Sequence, residues 1–168
     1  MSELIGEWKC NECSNLDPVL IEQGGHQENA DYFDPVDTNL TIDIEGNEVF
    51  LRDDVANRQV GTTFVLDKQI EEMTPDGRIV QSTVSLDSDA QLTHVQRHGF
   101  NETQIIREAS GDKLNTTVKT GDSVAVLKYE RVGEPKDTKQ YFTSFEPEAE
   151  PGPEVAAEGK LTTQPMVN

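Results

Sequence analysis

The sequence predicts an all-β fold, a ten-stranded up-and-down antiparallel barrel, on three observations. Turn residues return every ten to twelve positions between Thr74 and Val132: Thr74-Pro75-Asp76-Gly77-Arg78, Asp87-Ser88-Asp89, His98-Gly99, Ser110-Gly111-Asp112 and Thr120-Gly121-Asp122. The segments between them alternate apolar and polar residues, the pattern of half-buried strands joined by hairpins. Arg107 falls in the middle of one such strand with Glu108 as the charged residue beside it. A barrel of this size encloses a cavity, and a charge inside needs a partner. A small, partly apolar ligand bearing a carboxylate is the candidate.

Each element follows in chain order. Residues 4–11 put Gly6, Trp8 and Cys10 on one face and Glu7, Lys9 and Asn11 on the other, a half-buried first strand. The segment 15–25 predicts one short helix, with Asp17 as N-cap, Pro18 in the first helical position and Gly24 as the stop. Residues 26–37 are weakly amphipathic and carry Pro35, which predicts a loop or a poorly formed second helix. Strands follow at 38–44, 49–53, 60–66 and 69–74, with a turn at Glu45-Gly46-Asn47. The clearest alternation sets Val80, Ser82, Val84 and Leu86 against Gln81, Thr83, Ser85 and Asp87. The last strands are expected near 91–98, 101–108, 113–119 and 123–132. Beyond Val132 the alternation stops and a Pro/Glu-rich run begins. Seven acids and three lysines give residues 133–168 a charge of −4, so this part is expected to be a disordered acidic tail beside a barrel domain at 1–132. Tyr141, Phe142 and Phe145 form a small apolar cluster within it, either solvated or a docking motif for a protein partner.

Composition narrows the function. The 168 residues carry a net charge of −18, which repels nucleic acid and anionic membrane surfaces. No stretch approaches the roughly 18 apolar residues of a spanning helix, and the N-terminus lacks a basic, apolar leader, so a cytoplasmic location without stable membrane association is expected. Three Asn-x-Ser/Thr matches, at Asn39, Asn101 and Asn115, are chance occurrences in Thr-rich strands. Cys10 and Cys13 form a C-x-x-C spacing, but no second Cys/His cluster completes a four-ligand zinc site, and the pair sits at a strand end rather than opening a helix. His94, Gln96 and His98 share one strand face; as metal ligands they are incomplete, and as inward polar groups they would hold cavity water. No nucleophile stands with a base at telling spacing and no Gly-rich phosphate loop occurs, so neither an enzyme nor a cofactor is expected.

An ordered set of short motifs points further. Gly6-Glu7-Trp8-Lys9, Asn15-Leu16-Asp17 and Thr74-Pro75-Asp76-Gly77-Arg78 with Ser82-Thr83 come first; His94-Val95-Gln96, Ile106-Arg107-Glu108, Gly111-Asp112-Lys113-Leu114 and Tyr129-Glu130-Arg131 follow. With them the chain resembles the fatty-acid-binding proteins, the intracellular lipid-binding family, over about residues 4–132, and is somewhat similar to its invertebrate branch. The resemblance implies a lipocalin-like (calycin) barrel with a helical lid after the first strand. It also implies noncovalent binding and transport of a fatty acid or related hydrophobic ligand. The family's carboxylate site is two arginines and a tyrosine, the second arginine and the tyrosine forming Arg-x-Tyr on the last strand. Arg107 matches the first arginine and Tyr129 the tyrosine, whereas Leu127 stands where the second arginine is expected. Lys128 alternates to the opposite face and cannot substitute.

The expected cavity residues are therefore Arg107, Tyr129, Gln96, Leu127, Ile105, Thr116 and Val118, with Arg78 inward or at the rim. Leu127 opens the way to a less acidic ligand such as a lipid alcohol, amide or acylglycerol. The alternative for Arg107 is satisfaction by Gln96, Tyr129 and water, with no bound anion. The lid departs from the family too. Residues 14–37 hold six acids and no Lys or Arg, and Leu16 replaces a usual aromatic, which favours a loose lid and diffusional exchange of ligand. The rival function is a degenerate barrel acting as a protein-interaction module through its acidic surface and C-terminal tail.

Overall fold

The computed structural model describes residues 2–23, 35–55 and 58–144. They form one ten-stranded antiparallel sheet: β1 (Gly6–Ser14), β2 (Asn39–Glu45), β3 (Glu48–Val55), β4 (Arg58–Val65), β5 (Ile70–Met73), β6 (Ile79–Ser88), β7 (Gln91–His98), β8 (Asn101–Ser110), β9 (Lys113–Thr120) and β10 (Ser123–Gly133). The strand order is β4-β3-β2-β1-β10-β9-β8-β7-β6-β5. Every strand therefore pairs with its sequence neighbour except where β1 meets β10 and where β4 and β5 form the two edges. This is the expected up-and-down barrel, nearly closed, and its strands fall within a few residues of the predicted segments. The edges are stapled outside the ladder. The Asp67 N–H donates to the Val84 carbonyl at 2.8 Å, the Ser85 hydroxyl to the Asp67 carboxylate at 2.6 Å, and Arg58 to the Pro75 carbonyl.

Alternation sets the register. Gly6, Trp8 and Cys10 of β1 are buried, as are Val80, Ser82 and Val84 of β6. The hairpin glycines Gly111 and Gly121 sit at φ +60 and +58, where a β-carbon is disfavoured. Trp8 is fully buried in the core. Its indole N–H donates to the Leu4 carbonyl at 3.0 Å, and the Arg131 guanidinium lies 4.2 Å from its ring centre while donating to the backbone of Glu3, Ile5 and Gly111.

Two expectations are corrected. The helix, α1 (Leu16–Glu22), starts two residues earlier than predicted, with Asn15 in place of Asp17 as N-cap, in the left-handed region at φ 62. Asp17 and Pro18 instead lie inside the first turn. A proline is tolerated there because first-turn N–H groups have no intrahelical acceptor, and Asp17 suits the positive helix end. Beginning at residue 16 lets Leu16 and Leu20 turn inward. The expected second helix or loop at 26–37 lies mostly outside the described residues.

The other correction concerns the tail. Residues 133–144 do not leave the barrel: Gly133 ends β10, and 134–144 cross the outer face of β2, β3 and β4 as a strap with a 3-10 turn at Lys139–Tyr141. Tyr141 stacks on Phe50 of β3 with ring centres 4.7 Å apart, and Phe142 is 3% exposed. Three hydroxyl–carboxylate bonds fasten the strap: Thr138 to Asp43 at 2.6 Å, Thr143 to Glu48 at 2.8 Å and Ser144 to Glu45 at 2.9 Å. Phe50 is 2% exposed although it points out of the barrel, so strap and outer face bury each other's apolar surface. Of the three aromatics read as a docking motif, Tyr141 and Phe142 are thus engaged by the barrel; Phe145 and the remainder lie outside the described residues. No helix among the described residues is long and apolar enough to cross a membrane.

Candidate functional site

The barrel encloses a cavity of about 100 Å³. Register explains its lining. Arg107 of β8 pairs with Leu92 of β7 on one side and Thr116 of β9 on the other, and Thr116 pairs with Leu127 of β10. These four side chains form one transverse inward row. His94, Ile105, Val118 and Ala125 form the next. All eight residues singled out from the sequence, Arg78, Gln96, Ile105, Arg107, Thr116, Val118, Leu127 and Tyr129, line this one cavity. Leu127 stands two strands from Arg107 in the same row, so the row carries one cation and no second one. Lys128 is exposed and lies 3.8 Å from Glu12 on the outer face.

The polar end is a connected network. Arg107 Nη1 donates to His94 Nδ1 at 3.3 Å. Because a guanidinium has no acceptor, Nδ1 must accept, and the ring proton sits on Nε2. That N–H donates to Glu72 Oε1 at 2.9 Å, which also accepts from Ser82 Oγ at 2.5 Å and Gln96 Nε2 at 3.2 Å. Burial pushes the His94 pKa down, against the pull of Glu72 and with help from the Arg107 charge, so the ring is neutral at neutral pH. Burial acts to raise Glu72, but the bonds from His94, Ser82 and Gln96 outweigh it and hold the carboxyl below its usual range. The partners expected for Arg107 thus change: Gln96 serves Glu72, and His94 serves Arg107.

Asp53 was missed. It follows Val49 and Leu51 on the inner face of β3, is half-buried and lines the cavity. Burial, offset in part by Arg107 and reinforced by Glu72 and Asp54, pushes its carboxyl up to about 6. Tyr129 is held protonated, first by burial and then by the Asp53 charge. Alternation within the predicted 49–53 strand was the signal available: residues 49, 51 and 53 share a face. Arg78 is occupied at the rim, its Nε and Nη2 donating to Asp76 at 2.8 and 3.1 Å. His98 is exposed and bonds the Ile79 carbonyl, so it does not join His94 and Gln96 inside. Cys10 is buried in the core and its Sγ lies 3.5 Å from the Glu12 carbonyl, while Cys13 is half-buried. Among the described residues no three His, Cys, Asp or Glu side chains converge as metal ligands.

Two polar atoms of the polar end have no hydrogen-bond partner among the described residues: Arg107 Nε and Thr116 Oγ1. A buried donor left unmade costs about 1–3 kcal/mol, so these atoms call for a partner in the cavity, water or a guest. A larger concavity of about 980 Å³ lies outside, between Ser2, Ile5, β2 and the strap. Its buried carboxylate, Asp43, already holds Thr138 at 2.6 Å and Lys139 at 3.6 Å. The interior cavity, with its unpaired groups, is the better binding site.

Known proteins share this architecture. The chain is 32% identical over 132 residues to the 14 kDa fatty acid-binding protein of Schistosoma mansoni, covering 79% of this chain and 99% of that one. It is 35% identical over 132 residues to a fatty acid-binding protein of Clonorchis sinensis, covering 78% and 99%. Among solved structures, the Schistosoma mansoni fatty acid binding protein in complex with arachidonic acid superposes with a TM-score of 0.72 at 30% identity, over 79% of this chain and 98% of that one. No protein-family model matches the chain.

Proposed function

Because the chain belongs to the fatty-acid-binding protein family, we propose that it binds a fatty acid or related hydrophobic ligand noncovalently in the barrel cavity and transports it through the cytosol. The observation that carries this is the interior itself: apolar side chains including Leu51, Ile105, Val118 and Leu127 surround a polar end in which Arg107 Nε and Thr116 Oγ1 are unpaired. Burial of an acyl chain supplies the drive, about 0.8 kcal/mol per methylene. The polar end orients the headgroup. The solved relative that holds arachidonic acid supports an acyl occupant in a barrel of this shape.

The test is titration with an environment-sensitive fluorescent long-chain probe. Saturable uptake is expected, weakened about tenfold or more by Arg107→Gln, which removes charge-assisted hydrogen bonds worth about 1.5–3 kcal/mol. Val118→Trp, which fills the cavity and leaves its charges in place, should abolish uptake. A wild-type protein without saturable uptake, or one whose uptake survives Val118→Trp, would exclude the cavity as the binding site.

A further inference from the structure

Resting on that reading, we propose that the cavity selects a neutral headgroup able both to donate and to accept hydrogen bonds, the hydroxyl or carboxamide of a long-chain lipid, over a carboxylate, and that Asp53 sets this preference. The charges inside decide it. Arg78 is committed to Asp76. Arg107 is the remaining guanidinium lining the cavity, and it faces two acids: Glu72, reached through His94, and Asp53. Glu72 already accepts three hydrogen bonds, all on Oε1. Asp53 accepts no hydrogen bond from any donor among the described residues and lines the cavity as an acceptor. The position in the Arg107 row that could have brought a second cation is Leu127, with Thr116 between them.

A carboxylate entering this end meets Arg107 but also the ionised Asp53, and two close carboxylates do not both stay charged. Its binding therefore requires one proton from solvent, shared between ligand and Asp53. A hydroxyl or carboxamide needs none. Its N–H or O–H can donate to Asp53 while its oxygen accepts from Arg107 Nε, which has no partner among the described residues. The charged groups that act on Asp53 are Arg107 of β8, Glu72 of β5 and Asp54 beside it on β3; Asp53 in turn acts on Tyr129 of β10, which also feels Cys10 and Cys13 of β1, and His94 of β7 lines the same cavity. The His94 ring is held below its ordinary value and the Tyr129 phenol above its own, whereas the Asp53 carboxyl is brought to about 6.

The experiment displaces an uncharged solvatochromic dye from the full-length protein with oleate, oleamide and monooleoylglycerol, at pH 7.5 and 5.5, on wild type, Asp53→Asn and Asp53→Ser. At pH 7.5 both neutral lipids should displace the dye at concentrations about tenfold or more below oleate. Lowering the pH should strengthen oleate by up to tenfold per unit above the Asp53 transition, as linkage to one proton demands, and leave the neutral lipids unmoved. Both variants should close the gap to within about threefold at pH 7.5 and remove the pH dependence. Equal or tighter displacement by oleate at pH 7.5, or a gap that survives both substitutions, would overturn the assignment while leaving the carrier function standing. Displacement by none of the three would overturn both.

Discussion

Asp53 illustrates how one inward acid changes stability as well as specificity. Its folded-state pKa, about 6, lies above the ordinary value of 3.8. The folded chain thus holds this proton more tightly than the unfolded one, the reverse of a salt-bridged carboxylate. Its favourable contribution is complete below about pH 4 and is lost as the pH rises through 6, a difference of about 3 kcal/mol. Asp53→Asn is therefore expected to stabilise the protein by about 1–3 kcal/mol at pH 7.5 and by almost nothing at pH 4, read from urea midpoints at the two values. A gain of the same size at both would show that burial of the charge is not the cause. Glu72 runs the other way. Its lowered pKa gives stability that is present above the ordinary carboxylate range and is lost as the pH falls through its folded value. Neutral His94, with its depressed pKa, likewise opposes acid. A single cavity therefore combines one acid that favours low pH with a Glu–His pair that resists it.

At the scale of elements, the strap is the part of the chain that composition concealed. Strands were legible because a period of two and hairpin residues at regular spacing are local signals, and β6 shows both without interruption. The inner row containing Arg107, Thr116 and Leu127 was legible for the same reason: alternation assigns the face, and the strand order then aligns the rows. Asp53 escaped because an acid at the end of an apolar run looks like a turn residue until β2 pairs Leu40 opposite it. The strap escaped because its contacts join residues 95 positions apart, as in Thr138–Asp43 and Thr143–Glu48, and no periodicity announces them. Its aromatic pair sits among Pro135, Lys136 and Asp137, which read as solvated chain. Packing supplies the test. Ending the chain after Gly133 uncovers Phe50 and removes Phe142, and burial of one phenylalanine is worth about 1.5–3 kcal/mol. Truncation should lower unfolding free energy by about 3 kcal/mol and leave lipid affinity within about twofold, because the strap lines no part of the cavity. Phe142→Ala should reproduce roughly half of the loss. Unchanged stability on truncation would mean that the strap rests on the barrel without holding it.

Across the whole molecule, the barrel is a sheet whose two edges face each other without a ladder. Strands β8 and β9 are flanked by hydrogen-bonded neighbours on both sides, whereas β4 bonds β3 alone and β5 bonds β6 alone. The staples at Asp67–Val84, Ser85–Asp67 and Arg58–Pro75 bridge the seam at isolated points. Local opening draws on the least connected elements, so the barrel should part first along β4 and β5. Hydrogen exchange should show the amides of Ile70–Met73 and of the outer edge of Arg58–Val65 exchanging well before those of Asn101–Ser110 and Lys113–Thr120. Glu72 lies on β5 and Arg107 on β8, so the His94 bridge between them spans from the seam to the most connected strands. A guest that completes the unpaired Arg107 and Thr116 atoms strengthens the fixed side of that bridge. Saturating ligand at about a hundred times its dissociation constant adds about 2.7 kcal/mol to global stability. If the bridge couples the two sides, the added protection should reach β5 as well as β8 and β9. Protection confined to β8 and β9, with β5 exchanging as before, would show that the seam opens independently of the occupied cavity.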